Sequence, residues 1–363
     1  MRLATQPVTA LAIGMHAEPH RGGLDRYYNE LAHALPPHGV MVRRVLGGSE
    51  GPLHQRAMRV RRRIARCLND SDLIVSHFAP YAFGAIDYLR RAPLVVHFHG
   101  PWAAEGALEG DGAGRAALKA ILERAVYRRG ARVIALSEAF AAIVARTYAV
   151  PFDAIRVVSG GIDHGRYAVT VSRETARRAL GLPVDRPIIA AVRRLVRAKG
   201  IEPLIDAIDV VHRRYDDVLC AIAGRGPLDE QLRRRVAERG LQRHVRLMGF
   251  VPDQALPAFY RAADVVAVPT VALEGFGLVV LESLASGTPV LVSPVAGLPE
   301  TVAGLDPSLA FAEATPRAFA SLIDDVLSGR KRLPSPSACT AYAKGFDWPI
   351  IARKVADVYR EAV

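Results

Sequence analysis

Two carboxylates eight residues apart, Glu274 and Glu282, flank a segment that carries Gly275 and Gly277 into a helix pattern beginning near Leu278. Glycines before a helix start leave backbone N–H groups free at a positive dipole end, which suits a phosphate. Acidic side chains beside such a site make chemical sense if they grip sugar hydroxyls, because a carboxylate accepts two hydrogen bonds from a vicinal diol. Taken singly, Glu282 reads equally well as a solvated helix residue and Glu274 as a loop carboxylate. A second cluster, Arg193-Arg194-Leu195-Val196-Arg197-Ala198-Lys199-Gly200, follows an apolar run directly. Cations five residues apart at the carboxyl end of a parallel strand can converge on a diphosphate and stabilise it as it departs. The plainer alternative is a solvated basic turn. His97 and His99 lie at the end of another apolar run, and strand alternation predicts that they point to opposite faces. Asp70-Ser71-Asp72 has the spacing of a D-x-D metal motif but sits just before a strand, where acidic turn residues are common.

These residues need a scaffold that ends strands next to one another. Short Val-, Ile- and Leu-rich runs without polar alternation occur at 8–13, 40–45, 73–75, 94–97 and 133–136, then at 188–192, 218–223, 245–247, 265–268 and 290–292. Helical patterns such as 23–35, 116–128 and 228–239 separate them. This is the signature of parallel strands covered on both faces, run twice. The pattern pauses at 159–170, where Gly160, Gly161 and Gly165 cluster. The expected fold is α/β, with two doubly wound Rossmann-like domains whose strand ends face a common cleft. Boundaries are expected at 1–168 and 169–340, with a last helix over 341–363. A G-x-x-x-x-G-K-[ST] loop is absent, and Gly224-Arg225-Gly226 lacks the third glycine of a dinucleotide-binding turn, so kinase, P-loop and dehydrogenase readings lose weight.

A chain of 363 residues, half of them hydrophobic, supports two cores and excludes a disordered polypeptide. No run of 18 uncharged apolar residues offers a membrane span, and the N-terminus lacks a signal-peptide layout. Three scattered cysteines (Cys67, Cys220, Cys339) form no disulfide framework or Cys-based metal site, which points to a reducing cytoplasm. The net charge is +12, with 22 basic and 14 acidic residues up to position 170 against 26 and 22 beyond it. That balance suggests an anionic partner, or only an Arg-rich composition. Arg56, Arg59, Arg61, Arg62, Arg63 and Arg66 fall on one helical pattern with Ala57, Val60, Ile64, Cys67 and Leu68. It suits peripheral contact with the inner face of a membrane and, equally, docking on the protein's own sheet. No motif that reads nucleic acid accompanies the charge.

Together the motifs resemble the retaining glycosyltransferases of family 4, which have the GT-B fold. The E-x7-E pair Glu274…Glu282 and Arg194…Lys199-Gly200 match that family. So do Gly224-Arg225-Gly226-Pro227, Gly249-Phe250-Val251-Pro252-Asp253 and Gly297-Leu298-Pro299-Glu300, with weaker support from Gly22-Gly23 and His99-Gly100. The resemblance spans essentially the whole chain. It implies transfer of a hexose or hexosamine from a UDP- or GDP-sugar to a glycan, lipid-linked or small-molecule acceptor, with no metal and no cofactor. It places Arg194 and Lys199 on the donor diphosphate and Glu282 on the ribose. Glu274 and the backbone of Phe276-Gly277-Leu278 would meet the sugar, Gly22 and Gly23 the phosphates, and His99 the reacting carbon. Gly224, Phe250 and Val251 complete the implied donor contacts. First-domain loops at 16–26 and 100–115, including Trp102, would meet the acceptor. The last helix, after Phe346-Asp347-Trp348, would cross back to the first domain. Arg193 and Ala296 depart from the family, which often has glycine at both positions; Arg193 would add a third cation near the phosphates. A glycan phosphorylase, a nucleotide-sugar epimerase and a non-catalytic binding module remain as alternatives.

Overall fold

The apolar runs become parallel strands because each must be covered on both faces, and side chains such as Val95, Ile134, Ile189 and Ile222 are at most 1% exposed. The computed structural model describes residues 7–15, 22–48 and 50–363. The first unit comprises residues 1–161 and 347–363, the second 162–346. In the first, β1 (Val8–Gly14), β2 (Val40–Leu46), β3 (Leu73–Ser76), β4 (Leu94–Phe98), β5 (Arg132–Ala135) and β6 (Ile155–Val157) form one parallel sheet. Its order is β2-β1-β3-β4-β5-β6, with Ala12 paired to Val75 and Val96 to Val133. β6 has no counterpart among the expected strands. It is a three-residue edge strand whose Val157 is 40% exposed, too short and too open to give an apolar run.

The second unit holds β7 (Ile188–Val192), β8 (Leu219–Ala223), β9 (Val245–Gly249), β10 (Val265–Val268) and β11 (Val290–Val292) in the order β11-β10-β7-β8-β9. Chain direction through this sheet reverses between β7 and β10, and through the first sheet between β1 and β3. Ligands of open α/β sheets bind at the carboxyl ends of such neighbouring strands.

The boundaries fall at 161/162 and 346/347 instead of 168/169 and 340/341. Asp163 caps the helix His164–Tyr167 by accepting from Arg166 N–H at 3.0 Å, and Tyr167 packs beside Tyr260 inside the second unit. The helix Pro336–Lys344 buries Cys339 and Ala343 in that unit too. Asp347 then caps the last helix, Trp348–Ala362, which packs on the helix Gly23–Ala34 of the first unit.

The basic helix, Leu53–Cys67, turns Ala57, Val60 and Ile64 into the first unit against β2. Three of its arginines are taken up locally. Arg59 donates to Gly47 O at 3.2 Å, Arg63 to Leu46 O at 3.0 Å and Arg61 to Asp87 at 2.8 Å. The Asp70-Ser71-Asp72 turn is structural: Asp72 Oδ2 accepts from the Thr9 N–H at 2.8 Å, tying the start of β3 to β1. All three cysteines are free, and among the described residues no helix is long and apolar enough to cross a membrane.

Candidate functional site

At the carboxyl ends of β7 and β10 the chain brings together residues 81 positions apart. Arg193 Nη2 donates to Glu274 Oε2 at 2.6 Å, and Lys199 Nζ donates to the same oxygen at 2.9 Å. Arg193 Nη2 also donates to Thr270 Oγ1. The backbone makes this convergence possible. Gly200 has φ +70°, and a Cβ there would lie 1.8 Å from Pro269 O, so only glycine lets the Lys199 turn press against the end of β10. At Gly224 a Cβ would lie 1.7 Å from Arg193 O, so the turn after β8 likewise closes over the residue that follows β7.

Burial alone would raise the Glu274 carboxyl, but Arg193 and Lys199 outweigh it and hold it down at about 2. Glu274 is thus a carboxylate at neutral pH, with its charge answered on the protein. Arg193 was expected to join the phosphate cations; the structure turns it to Glu274 and Thr270 instead. Arg194 is exposed beside it. The Glu274 loop is anchored by Gly297 N–H donating to Glu274 O at 3.1 Å. Leu273 (φ +51°) and Ala296 (φ +46°) are both left-handed there without being glycine, so the loop stores strain around the carboxylate.

Gly277 caps the helix Leu278–Ala285, and Phe276 O accepts from Thr301 Oγ1 at 2.6 Å. Glu282 is 3% exposed, and Tyr260 Oη donates to its Oε2 at 2.6 Å. It is neither the solvated helix residue of the plain reading nor part of the Glu274 ion pair. Phe250 is 53% exposed just past β9, with the Arg225 guanidinium 5.2 Å above its ring, and Val251 beside it is half-buried.

In the first unit, His99 does not oppose His97. The ring centroids are 6.1 Å apart and the planes differ by 14°. β4 ends at Phe98, so the pleat no longer governs the direction of His99. His77, just past β3, completes the group, with its Nδ1 3.2 Å from His99 Nε2. His97 is held on both nitrogens, by Tyr27 Oη at 3.2 Å and Tyr359 Oη at 2.8 Å. Nitrogens of the three histidines lie within 4.8 Å of one another. However, His77 and His97 stack at 4.2 Å and 19°, a geometry that keeps their lone pairs in near-parallel planes instead of aiming them at one ion. Burial lowers all three, His99 to about 4, so the cluster is neutral at pH 7.

That neutrality gives the folded state a pH limit. Below about 6.5 the unfolded chain binds protons that the folded chain refuses down to about pH 4, so stability is lost across that window. The melting temperature is expected to fall steeply from pH 7 to 4.5, and less steeply in His77→Phe. A flat profile in the wild type would contradict this account.

Sequence reasoning missed His77, Tyr27, Tyr359 and Thr270, and also Glu123. The Glu123 carboxylate is fully buried and accepts from Trp102 N–H at 2.8 Å, Ala103 N–H at 3.1 Å, Tyr127 Oη at 3.1 Å and Tyr148 Oη at 3.0 Å. It thereby fixes the start of the helix Trp102–Leu108, immediately after His99-Gly100-Pro101. Trp102 is packed under Lys119, 4.3 Å from its ring, and against Phe78. The position of His77 after a strand was the one available signal. Gly22 and Gly23 open the helix Gly23–Ala34; positions 16–21 of the expected acceptor loop lie outside the described residues.

The family model for "Glycosyl transferases group 1" matches residues 172–346, and that for "Glycosyltransferase Family 4" matches residues 21–166. The D-inositol 3-phosphate glycosyltransferase of Nocardia farcinica is 31% identical over 349 residues, which cover 90% of this chain and 76% of that protein. Several other curated relatives are matched over about half their length. Sucrose-phosphate synthase from Thermosynechococcus elongatus superposes with a TM-score of 0.79 at 23% identity, covering 98% of both chains. HepE of Anabaena, solved in complex with UDP-glucose, gives 0.77 at 21% identity over 97% of this chain and 99% of its own.

Proposed function

The chain belongs to the group 1, family 4 glycosyltransferases of GT-B fold, and from this premise we propose that it transfers a hexose or hexosamine, with retention, from a UDP- or GDP-sugar to an acceptor hydroxyl. The single observation that carries the reading is the Arg193–Glu274–Lys199 group at the switch point of the second sheet. A cationic edge beside an ionised carboxylate fits a ligand that is a diphosphate at one end and a polyol at the other.

In this mechanism Arg194 and Lys199 neutralise the diphosphate, and their fixed charge counts most as the leaving group gains its own. Glu274 accepts hydrogen bonds from the sugar hydroxyls. Its negative charge favours the positive character that develops at the anomeric carbon. Glu282, steadied by Tyr260, takes the ribose hydroxyls, and the exposed Phe250 face with Val251 borders the base. On the family resemblance we assign a donor-phosphate role to Gly22 and Gly23 and a sugar or acceptor role to neutral His99. Because cationic side chains do the work of charge neutralisation, we assign no metal and no cofactor. The acceptor is a glycan, a lipid-linked sugar or a small molecule. The relatives named for D-inositol 3-phosphate make a phosphorylated cyclitol the first small molecule to try. We place the reaction in the cytoplasm.

The test is release of nucleoside diphosphate from a panel of UDP- and GDP-sugars, with and without inositol phosphates and glycan acceptors, in EDTA. Acceptor-dependent release that survives EDTA is the expected result. Turnover only with free phosphate would identify a phosphorylase, and full loss restored by magnesium or manganese would overturn the metal-independent mechanism. Tight nucleotide binding without release would favour the binding-module alternative.

A further inference from the structure

Arg193 stands where the resembling family often has glycine, and its surroundings are those of a built site. Its side chain is 5% exposed, its Nε is buried without a hydrogen-bond partner, and its Nη2 is shared between Glu274 and the fully buried Thr270. A guanidinium cannot shed its charge, and a buried charge is tolerated only beside a counter-ion. Glu274 is that counter-ion. Lys199 reaches the same carboxylate oxygen but is more open, at 18% exposure, on a flexible stem. The two cations are therefore not equivalent. Both backbones are held, Arg193 N–H by Ala223 O at 2.9 Å and Lys199 N–H by Val196 O at 3.0 Å, so the difference lies in the side chains, at 5% against 18% exposure.

We propose that Arg193 is the positioning residue of Glu274, holding its carboxylate ionised and aimed at the donor sugar while Lys199 exchanges from Glu274 onto the incoming diphosphate. This rests on the donor-site reading above and deepens it. The ligand-free site keeps Lys199 on a carboxylate that the substrate's phosphates can outbid electrostatically. Once Lys199 leaves, only Arg193 opposes the effect of burial, which raises the Glu274 carboxyl. The charged groups facing Glu274 are Arg193, from the segment after β7, and Lys199, from the turn beyond it. Thr270 meets the group from the end of β10, and the 296–297 loop contributes the Gly297 N–H to the Glu274 carbonyl.

The experiment compares wild type, Arg193→Gly and Arg193→Lys, with folding checked by circular dichroism. Carboxyl 13C spectra of glutamate-labelled protein, with Glu274 assigned through Glu274→Gln, follow the carboxylate against pH with and without UDP or GDP. The wild-type resonance is expected to remain that of a carboxylate down to the lowest pH at which the protein stays folded. In Arg193→Gly the midpoint should climb above about 4, into the ordinary carboxylate range, and further with nucleotide bound. Arg193→Lys should restore most of the difference, and it keeps the test alive if the glycine variant does not fold. In parallel, kcat for Arg193→Gly should fall about tenfold or more, with an acid limb moved upward in pH and nucleotide affinity within a few-fold of wild type. An unchanged Glu274 titration in the variants would overturn the proposal. So would a tenfold loss of nucleotide affinity at unchanged kcat, which would make Arg193 a phosphate ligand. If no nucleotide-sugar is turned over by the wild type, the functional reading fails, while the carboxyl titration still decides what Arg193 does to Glu274.

Discussion

Lys199→Ala is expected to lower kcat by on the order of 100-fold or more while leaving the melting temperature within a few degrees of wild type. The magnitude is that of removing one fixed group from the place where negative charge develops. The lysine is only part-buried, so its loss does not open a core, and Arg193 remains to balance Glu274. Arg194→Ala should behave similarly, because its side chain is exposed beside the same strand end. Both variants should bind free nucleoside diphosphate more weakly, and the deficit should shrink as ionic strength rises and screens the wild type's advantage. Initial rates and calorimetric titration on the same preparations check this. Activity within a few-fold of wild type for both would remove these cations from the chemistry.

Glu274→Gln is the second large effect, and it separates the two glutamates. Glutamine keeps an oxygen able to accept from Arg193 and Lys199 but removes the charge, so turnover should fall by about two orders of magnitude. Affinity for free nucleoside diphosphate should stay constant or rise, because Lys199 no longer has to leave an anionic partner to reach the phosphates. Some loss of stability is expected as well, on the order of 1–3 kcal/mol, since the buried Arg193 charge loses its counter-ion. Glu282→Gln should act on a part of the donor that does not change during reaction. Its effect should therefore appear mainly in the donor KM and in nucleotide affinity, with kcat little changed. If Glu274→Gln abolished nucleotide binding and Glu282→Gln spared it, the two assignments would be exchanged. Because Glu274 is held at about 2 in the ligand-free protein, it enters the reaction as a carboxylate across the working range.

Local pattern made a good deal of this molecule legible. β7, β10 and β11 lie where their apolar runs do, because a strand buried on both faces has no room for polar residues. The glycines before Leu278 and the basic turn after Val192 announced two strand-end loops, since such residue types have few other uses in that place. The Leu53–Cys67 helix was recognisable from its apolar spacing, although only packing decided that its stripe covers the protein's own sheet.

What the sequence by itself determined, then, was the set of elements and the chemistry each loop carries, because strand burial, helix caps and glycine turns depend on neighbours a few residues away. The tertiary structure alone decided which loops meet. Strand order sets β10 beside β7, and so turns Arg193 from an expected phosphate ligand into the partner of Glu274. The end of β4 frees His99 from the pleat and lets it join His77, while Tyr359, 262 residues beyond His97, closes the same network from the last helix. Partners so distant in the chain leave no periodic trace, because their approach is governed by sheet order and helix packing and not by spacing along the backbone.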